Sequence, residues 1–138
     1  MSAVDALQTT LSAEHAAVYV LGVLGAQTSQ SASPDLFATL TDTYTVHRGR
    51  RDFLVRSVLD LGAEPVAAEV AYDVPPDLGT AQTVSAEALR VERECAATYA
   101  FLVGSTTEDL RLWAVRALQA AAVRLLAFGA APEDLPGS

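Results

Sequence analysis

Between Gly62 and Thr80 runs GAEPVAAEVAYDVPPDLGT, about nineteen residues with three prolines and no sustained helical or strand period. On both sides of it, apolar residues recur in alternating steps of three and four, the signature of helices packed in a bundle. A connection this long inside a compact domain needs a structural reason. At up to ~3.3 Å per residue it reaches ~60 Å, more than the ~40 Å of a helix of about 27 residues. It can therefore cross the bundle from end to end and set the third helix parallel to the second. The fold this implies is all-α: a four-helix bundle with a long crossover between helices 2 and 3.

The helical patterns flank that crossover in two pairs. Val4, Leu7, Leu11, Glu14, Val18, Leu21 and Gly25 form the seam of the first. Ser33-Pro34-Asp35 opens the second, with proline suited to the first helical position and aspartate to the positive helix end. Its seam reads Phe37, Leu40, Tyr44, His47, Arg51, Leu54, Val58 and Leu61, and Gly62 with Pro65 ends it. A third runs to Gly104, and Ser105-Thr106-Thr107-Glu108 matches a capping box ahead of the fourth. Expected bounds are about 3–28, 35–61, 81–103 and 107–128, in one domain over residues 1–138, with PEDLPGS a frayed tail. Gly22, Gly25 and Gly49 each cost about 0.5–1 kcal/mol relative to alanine inside a helix, so close helix approach is the expected return.

Charge and cysteine usage exclude several classes of function. The formal net charge is −8, with 9 basic and 17 acidic residues, so nucleic acid and anionic membranes are not expected partners. Cys95 is the single cysteine, which rules out an intrachain disulfide and a cysteine-only metal site; it reads as a buried, inert thiol. The longest apolar run, 16–26, is shorter than the ~18 residues of a membrane span, and the expected location is cytoplasmic. No nucleophile with its base, phosphate-cradling glycine loop or zinc helix motif is present.

Several seam positions are polar, and hairpin arithmetic brings them together. With the first turn near residue 31 or 32, residues level on helices 1 and 2 sum to about 63. Glu14 then lies level with a point between His47 and Arg51, and Tyr19 faces Tyr44. For the second hairpin the sum is about 211, which sets Glu92 beside Gln119 and within a turn of Arg116. His15, about 100° round the helix from Glu14, reads as a helix-interface or surface residue. Arg48, Arg50 and Arg51 point in different directions on a helix, which suits a solvated face with one buried arginine better than an anion site.

The segments AEHAAVYVLGVLGA, HRGRRDFL, GAEPVAAEVAY and ERECAATY resemble a group of ferritin-like domains of unknown function common in actinobacteria. The resemblance implies the ferritin-like fold and carries no established activity. In metal-binding ferritin-like proteins, two helices give a glutamate and the other two a Glu-x-x-His. Glu14, Glu92 and His47 match parts of that pattern. Tyr44 stands where a glutamate would precede His47, and helix 4 has no histidine and, after Asp109, no carboxylate before Glu133.

These ligands are too few for a di-metal centre, and no cofactor is expected; a single metal would fall on Glu14, His47 and Glu92. The reading the residues favour puts Arg51 inside the bundle, bridging Glu14 in place of an ion, within a polar network of Tyr19, Tyr44, His47, Glu92, Tyr99, Arg116 and Gln119. Trp113 reads as a core anchor. The expected function is that of a non-catalytic bundle acting by association, as a homodimer or with another protein. The alternative is a small metal- or ligand-binding redox protein that uses the polar layer.

Overall fold

In the computed structural model, which describes residues 2–137, α1 (Ala3–Gln27), α2 (Pro34–Asp60), α3 (Ala81–Ser105) and α4 (Glu108–Ala127) follow the expected bounds within two residues. Local chemistry sets the ends. Ser2 and Asp5 form a capping box on α1, and Thr80 and Thr83 form one on α3. Pro34 occupies the first turn of α2. Gly62, with φ +80, takes the left-handed conformation that stops α2.

The link between α3 and α4 differs from the expected capping box. Helix α3 continues through Gly104 to Ser105, whose hydroxyl donates back to the Phe101 carbonyl. Thr107, at the start of α4, makes no side-chain cap bond, and Glu108 carries φ +52. With only Thr106 and Thr107 between the helices, Ser105 stays helical and cannot turn forward to cap. Arg111 instead donates to the Val103 carbonyl at 3.0 Å, satisfying one open end of α3.

Two apolar clusters establish the topology. Leu21 and Leu24 from late α1 pack with Leu40 from early α2, Val84 and Ala88 from early α3, and Ala121 from late α4. Leu7 and Leu11 from early α1 pack with Leu54 and Val58 from late α2, Leu102 from late α3 and Ala114 from early α4. Helices α2 and α3 therefore run parallel, and both oppose α1 and α4. Backbones approach closely between α1 and α2, α1 and α3, and α3 and α4. Across the gap between α2 and α4, large side chains meet, with Phe53 stacked on Trp113 at 4.6 Å.

The crossover lies along α1 as a strap. Gln8 clamps its start, donating to the Glu64 carbonyl at 2.7 Å and accepting from the Val66 amide at 2.8 Å. His15 donates from Nε2 to the Val66 carbonyl at 2.9 Å, so this histidine ties the strap to the helix. Tyr72 then packs on Tyr19 with ring centroids 5.6 Å apart, and Leu78 is buried.

The C-terminal segment also departs from expectation. It folds back on α3, where a Cβ at Gly137 would lie 2.6 Å from the Ala96 carbonyl oxygen. Glycine is required there twice over, since φ is +80. No helix among the described residues is long and apolar enough to cross a membrane.

Candidate functional site

The two apolar clusters are separated by a polar layer built around His47. Its side chain is fully buried, with Nδ1 2.5 Å from Glu14 Oε2 and Nε2 2.6 Å from Glu92 Oε2. Each ring nitrogen faces a carboxylate, an arrangement that only the doubly protonated imidazolium satisfies with two donated bonds. Tyr99 donates its hydroxyl to Glu14 Oε1, and Arg50 Nη1 donates to the Tyr99 oxygen at 2.9 Å. The Arg50 guanidinium also lies 4.9 Å over the Tyr99 ring and reaches the Ala117 carbonyl at 3.5 Å. On the far side, Arg124 Nη1 approaches Glu92 Oε1 at 3.6 Å, an ion-pair contact longer than a hydrogen bond.

Electrostatics reinforce this protonation pattern. Burial pushes the His47 pKa down, yet contacts with Cys95, Glu14 and Glu92 prevail and hold it well above the usual 6.5. Burial likewise acts to raise Glu92, but the His47 bond and charge, with Arg124 and Arg50, bring its pKa below 4.5. Tyr99 is pushed well above 10 by burial and by the Glu14 charge, so it stays a neutral donor. Burial and then Glu14 push the Cys95 thiol up to about 11. That fits an inert thiol, whose Sγ lies 3.9 Å from the Ala13 carbonyl.

The structure brings Glu14 to His47, as the spacing suggests, joins Glu92 and Tyr99 to them in one cluster, and leaves the other named residues outside it. Arg51 is the main correction. It is 32% exposed and pairs with its neighbour Asp52, while Arg50 enters the bundle. The α2 seam runs Leu40, Thr43, His47, Arg50, Leu54 and Ser57. Both this seam and the expected one pass through 40, 47 and 54. They differ in placing the step of three before the step of four, which selects 43 and 50 over 44 and 51. Tyr44 accordingly lies on the edge of α2 under Arg48, and Tyr19 packs beneath the strap.

Arg116 and Gln119 are exposed, because α4 buries Ala114, Ala117, Ala121 and Leu125 and turns 116 and 119 outward. Arg124 supplies the α4 cation instead. Two further members were not expected in the layer, Arg50 and Arg124, and the seam rule itself could have found them. Continuing 114, 117, 121 by a step of three reaches 124.

The layer does not fit a di-metal centre. One oxygen of each carboxylate is committed to His47, the spacing of 2.5 and 2.6 Å leaves no room for an ion between them, and α4 contributes a guanidinium in place of a ligand. The donors of Glu14, His47 and Cys95 do lie within 4.8 Å of one another. A cation there would have to break the His47 bond to Glu14 and displace the proton of a thiol raised to about 11.

A comparison with curated proteins finds no match. Among solved structures, the chain is similar to the crystal structure of a conserved hypothetical protein, rv2844, from Mycobacterium tuberculosis. The TM-score is 0.82 at 27% sequence identity, covering 91% of this chain and 94% of that one. The family described as "Domain of unknown function (DUF4439)" matches residues 6–138, and this chain belongs to that family.

Proposed function

We propose that the protein is a ferritin-like bundle without catalytic activity, in which an imidazolium takes the place that a metal holds in metal-binding ferritin-like proteins. The observation that carries this reading is His47 held between Glu14 and Glu92, with Tyr99 donating to the second oxygen of Glu14 and Arg124 in ion-pair contact, without a hydrogen bond, with the second oxygen of Glu92. The carboxylate oxygen left without a hydrogen bond, Glu92 Oε1, is buried 3.6 Å from Arg124 Nη1, out of a substrate's reach as a base and beside a fixed positive charge that disfavours a metal ion. The parallel α2 and α3 with their crossover strap support the ferritin-like assignment.

The chain then acts through its surface, by association with a second copy or with another protein, in the cytoplasm. Leu112, Val123 and Leu126 support this part of the reading: they are 48%, 69% and 46% exposed on the outward face of α4. A single cation on Glu14, His47 and Cys95 is the second reading, motivated by the 4.8 Å cluster.

Elemental analysis of untagged protein grown with added iron, manganese and zinc separates the two. The first reading requires no stoichiometric metal; one metal per chain that disappears in His47→Ala establishes the second. Sedimentation equilibrium of the wild type and of Val123→Asp tests self-association, and a wild-type monomer at micromolar concentration would leave only a different protein as partner.

A further inference from the structure

One cavity lies away from the polar layer. It is an open groove of about 470 Å³, lined by Leu21, Gly22 and Gly25 of α1 and by Phe37, Leu40 and Tyr44 of α2. Its volume falls within the range of roughly 300–1,000 Å³ typical of small-molecule pockets.

The two glycines are the feature that needs explaining. A Cβ at Gly25 would meet nothing within 4 Å, and one at Gly22 would meet only Tyr44 Cε2 at 3.6 Å, an ordinary contact. Neither has the positive φ that favours glycine. Close helix approach, the expected return for them, is therefore not what they provide. They leave room.

Charge identifies what would fill it. Arg48 follows Tyr44 by one turn and holds its guanidinium carbon 5.7 Å from the Tyr44 ring centroid. Among the described residues no carboxylate pairs with Arg48, and none lines the groove. The groove is thus lined by apolar side chains and Thr41, and the exposed Arg48 stands beside it, against the Tyr44 ring. The net charge of −8 repels anions at long range, so apolar contact must supply the affinity while Arg48 orients the head group.

We propose that this groove binds a small amphipathic carboxylate, its apolar body lying on Gly22 and Gly25 between Phe37 and Tyr44 and its head on Arg48. At about 30 Å³ per carbon-sized group, the groove holds roughly fifteen such groups, the size of a medium-length acyl chain.

The test is calorimetric titration of the purified full chain with dodecanoate, below its micelle concentration and at low salt, beside dodecanol. The expected result is saturable binding of one dodecanoate per chain. Arg48→Gln should weaken dodecanoate about tenfold and leave dodecanol unchanged. Gly25→Leu, which fills the groove from a position where an added Cβ meets nothing within 4 Å, should abolish binding of both while the melting temperature holds or rises. Three results overturn the proposal: no saturable binding to the wild type, undiminished binding by Gly25→Leu, or dissociation of a wild-type dimer by Gly25→Leu. The last would make a second copy the occupant.

Discussion

The polar layer and the α1–α2 groove treat the same problem, a helix seam interrupted by residues that are not apolar, in opposite ways. In the layer, two carboxylates and a histidine are drawn inward and bonded to one another, with Arg50 bonded to Tyr99 and Arg124 in ion-pair contact with Glu92. In the groove, Gly22 and Gly25 withdraw their side chains, and little fills the space. Polar residues buried at the centre of a bundle suggest chemistry, but both nitrogens of His47 are spent on carboxylates and the layer is closed to solvent. Missing side chains at the edge suggest nothing in a sequence, yet they create the volume a ligand needs.

If the layer is a structural cross-link, removing its centre should be the most damaging change available. His47→Ala strands two carboxylates that are 0% exposed, and breaking a buried ion pair costs about 3–5 kcal/mol. That is a large share of the roughly 5–15 kcal/mol that holds a domain together. Urea unfolding at pH 6 measures it. A cost below about 1 kcal/mol would show that water reaches the layer and that the contrast with the groove is false.

The same centre gives a pH signature. The His47 pKa is raised in the folded chain, so its contribution is fully present below the unfolded value near 6.5 and is lost as pH rises through the folded value. The Glu92 pKa is lowered, so its contribution is present above about 4.5 and is lost as pH falls through the folded value. Stability should be greatest between about 4.5 and 6.5 and decline on the alkaline side. The urea midpoint of the wild type, followed from pH 6 to pH 9, should fall, whereas that of His47→Gln should lose this decline. A wild-type midpoint that rises over that range would mean that His47 is neutral in the fold.

Arginines 50 and 51 give the next contrast. Arg50→Ala removes a bond to Tyr99 next to a buried carboxylate and should cost about 1.5–3 kcal/mol, the usual value for a charged hydrogen bond. Arg51→Ala, in a surface pair with Asp52, should change stability by less than about 0.5 kcal/mol. Equal effects in urea unfolding would mean that the two side chains share the interior.

That pair also shows how far the sequence could be read. Helix existence, the parallel crossover and the meeting of Glu14 with His47 follow from period and rise per residue, because long amphipathic helices constrain their own height and face, whereas Glu92 joins them only through the ferritin-like ligand pattern. Face assignment between the seven-residue anchors does not follow. Steps of three and four both keep a residue near the seam, and an arginine is long enough to reach the core from either. The choice of Arg51 over Arg50 turns on that ambiguity, and Arg124 escapes hairpin arithmetic because Cα heights take no account of the reach of a side chain. The seat of Gly137 on α3 is a long-range contact that no local pattern encodes.

The smallest effect tests the groove. Gly25→Ala adds a Cβ where nothing lies within 4 Å, so the substitution should carry only its helix-propensity term, a gain of about 0.5–1 kcal/mol. Gly137→Ala makes the opposite case, since φ is +80 and the Ala96 carbonyl is in the way. It should release the C-terminal segment without unfolding the bundle, seen as faster amide exchange confined to the residues after Ala127. Thermal melts of Gly25→Ala, at several protein concentrations, complete the comparison. A concentration-independent rise in melting temperature means that the isolated chain does not need glycine there and that the room serves something outside it. If Gly25→Ala lowers the melting temperature, and more so at high concentration, the glycine is packed against another copy, and the groove, like the layer, is already filled by protein.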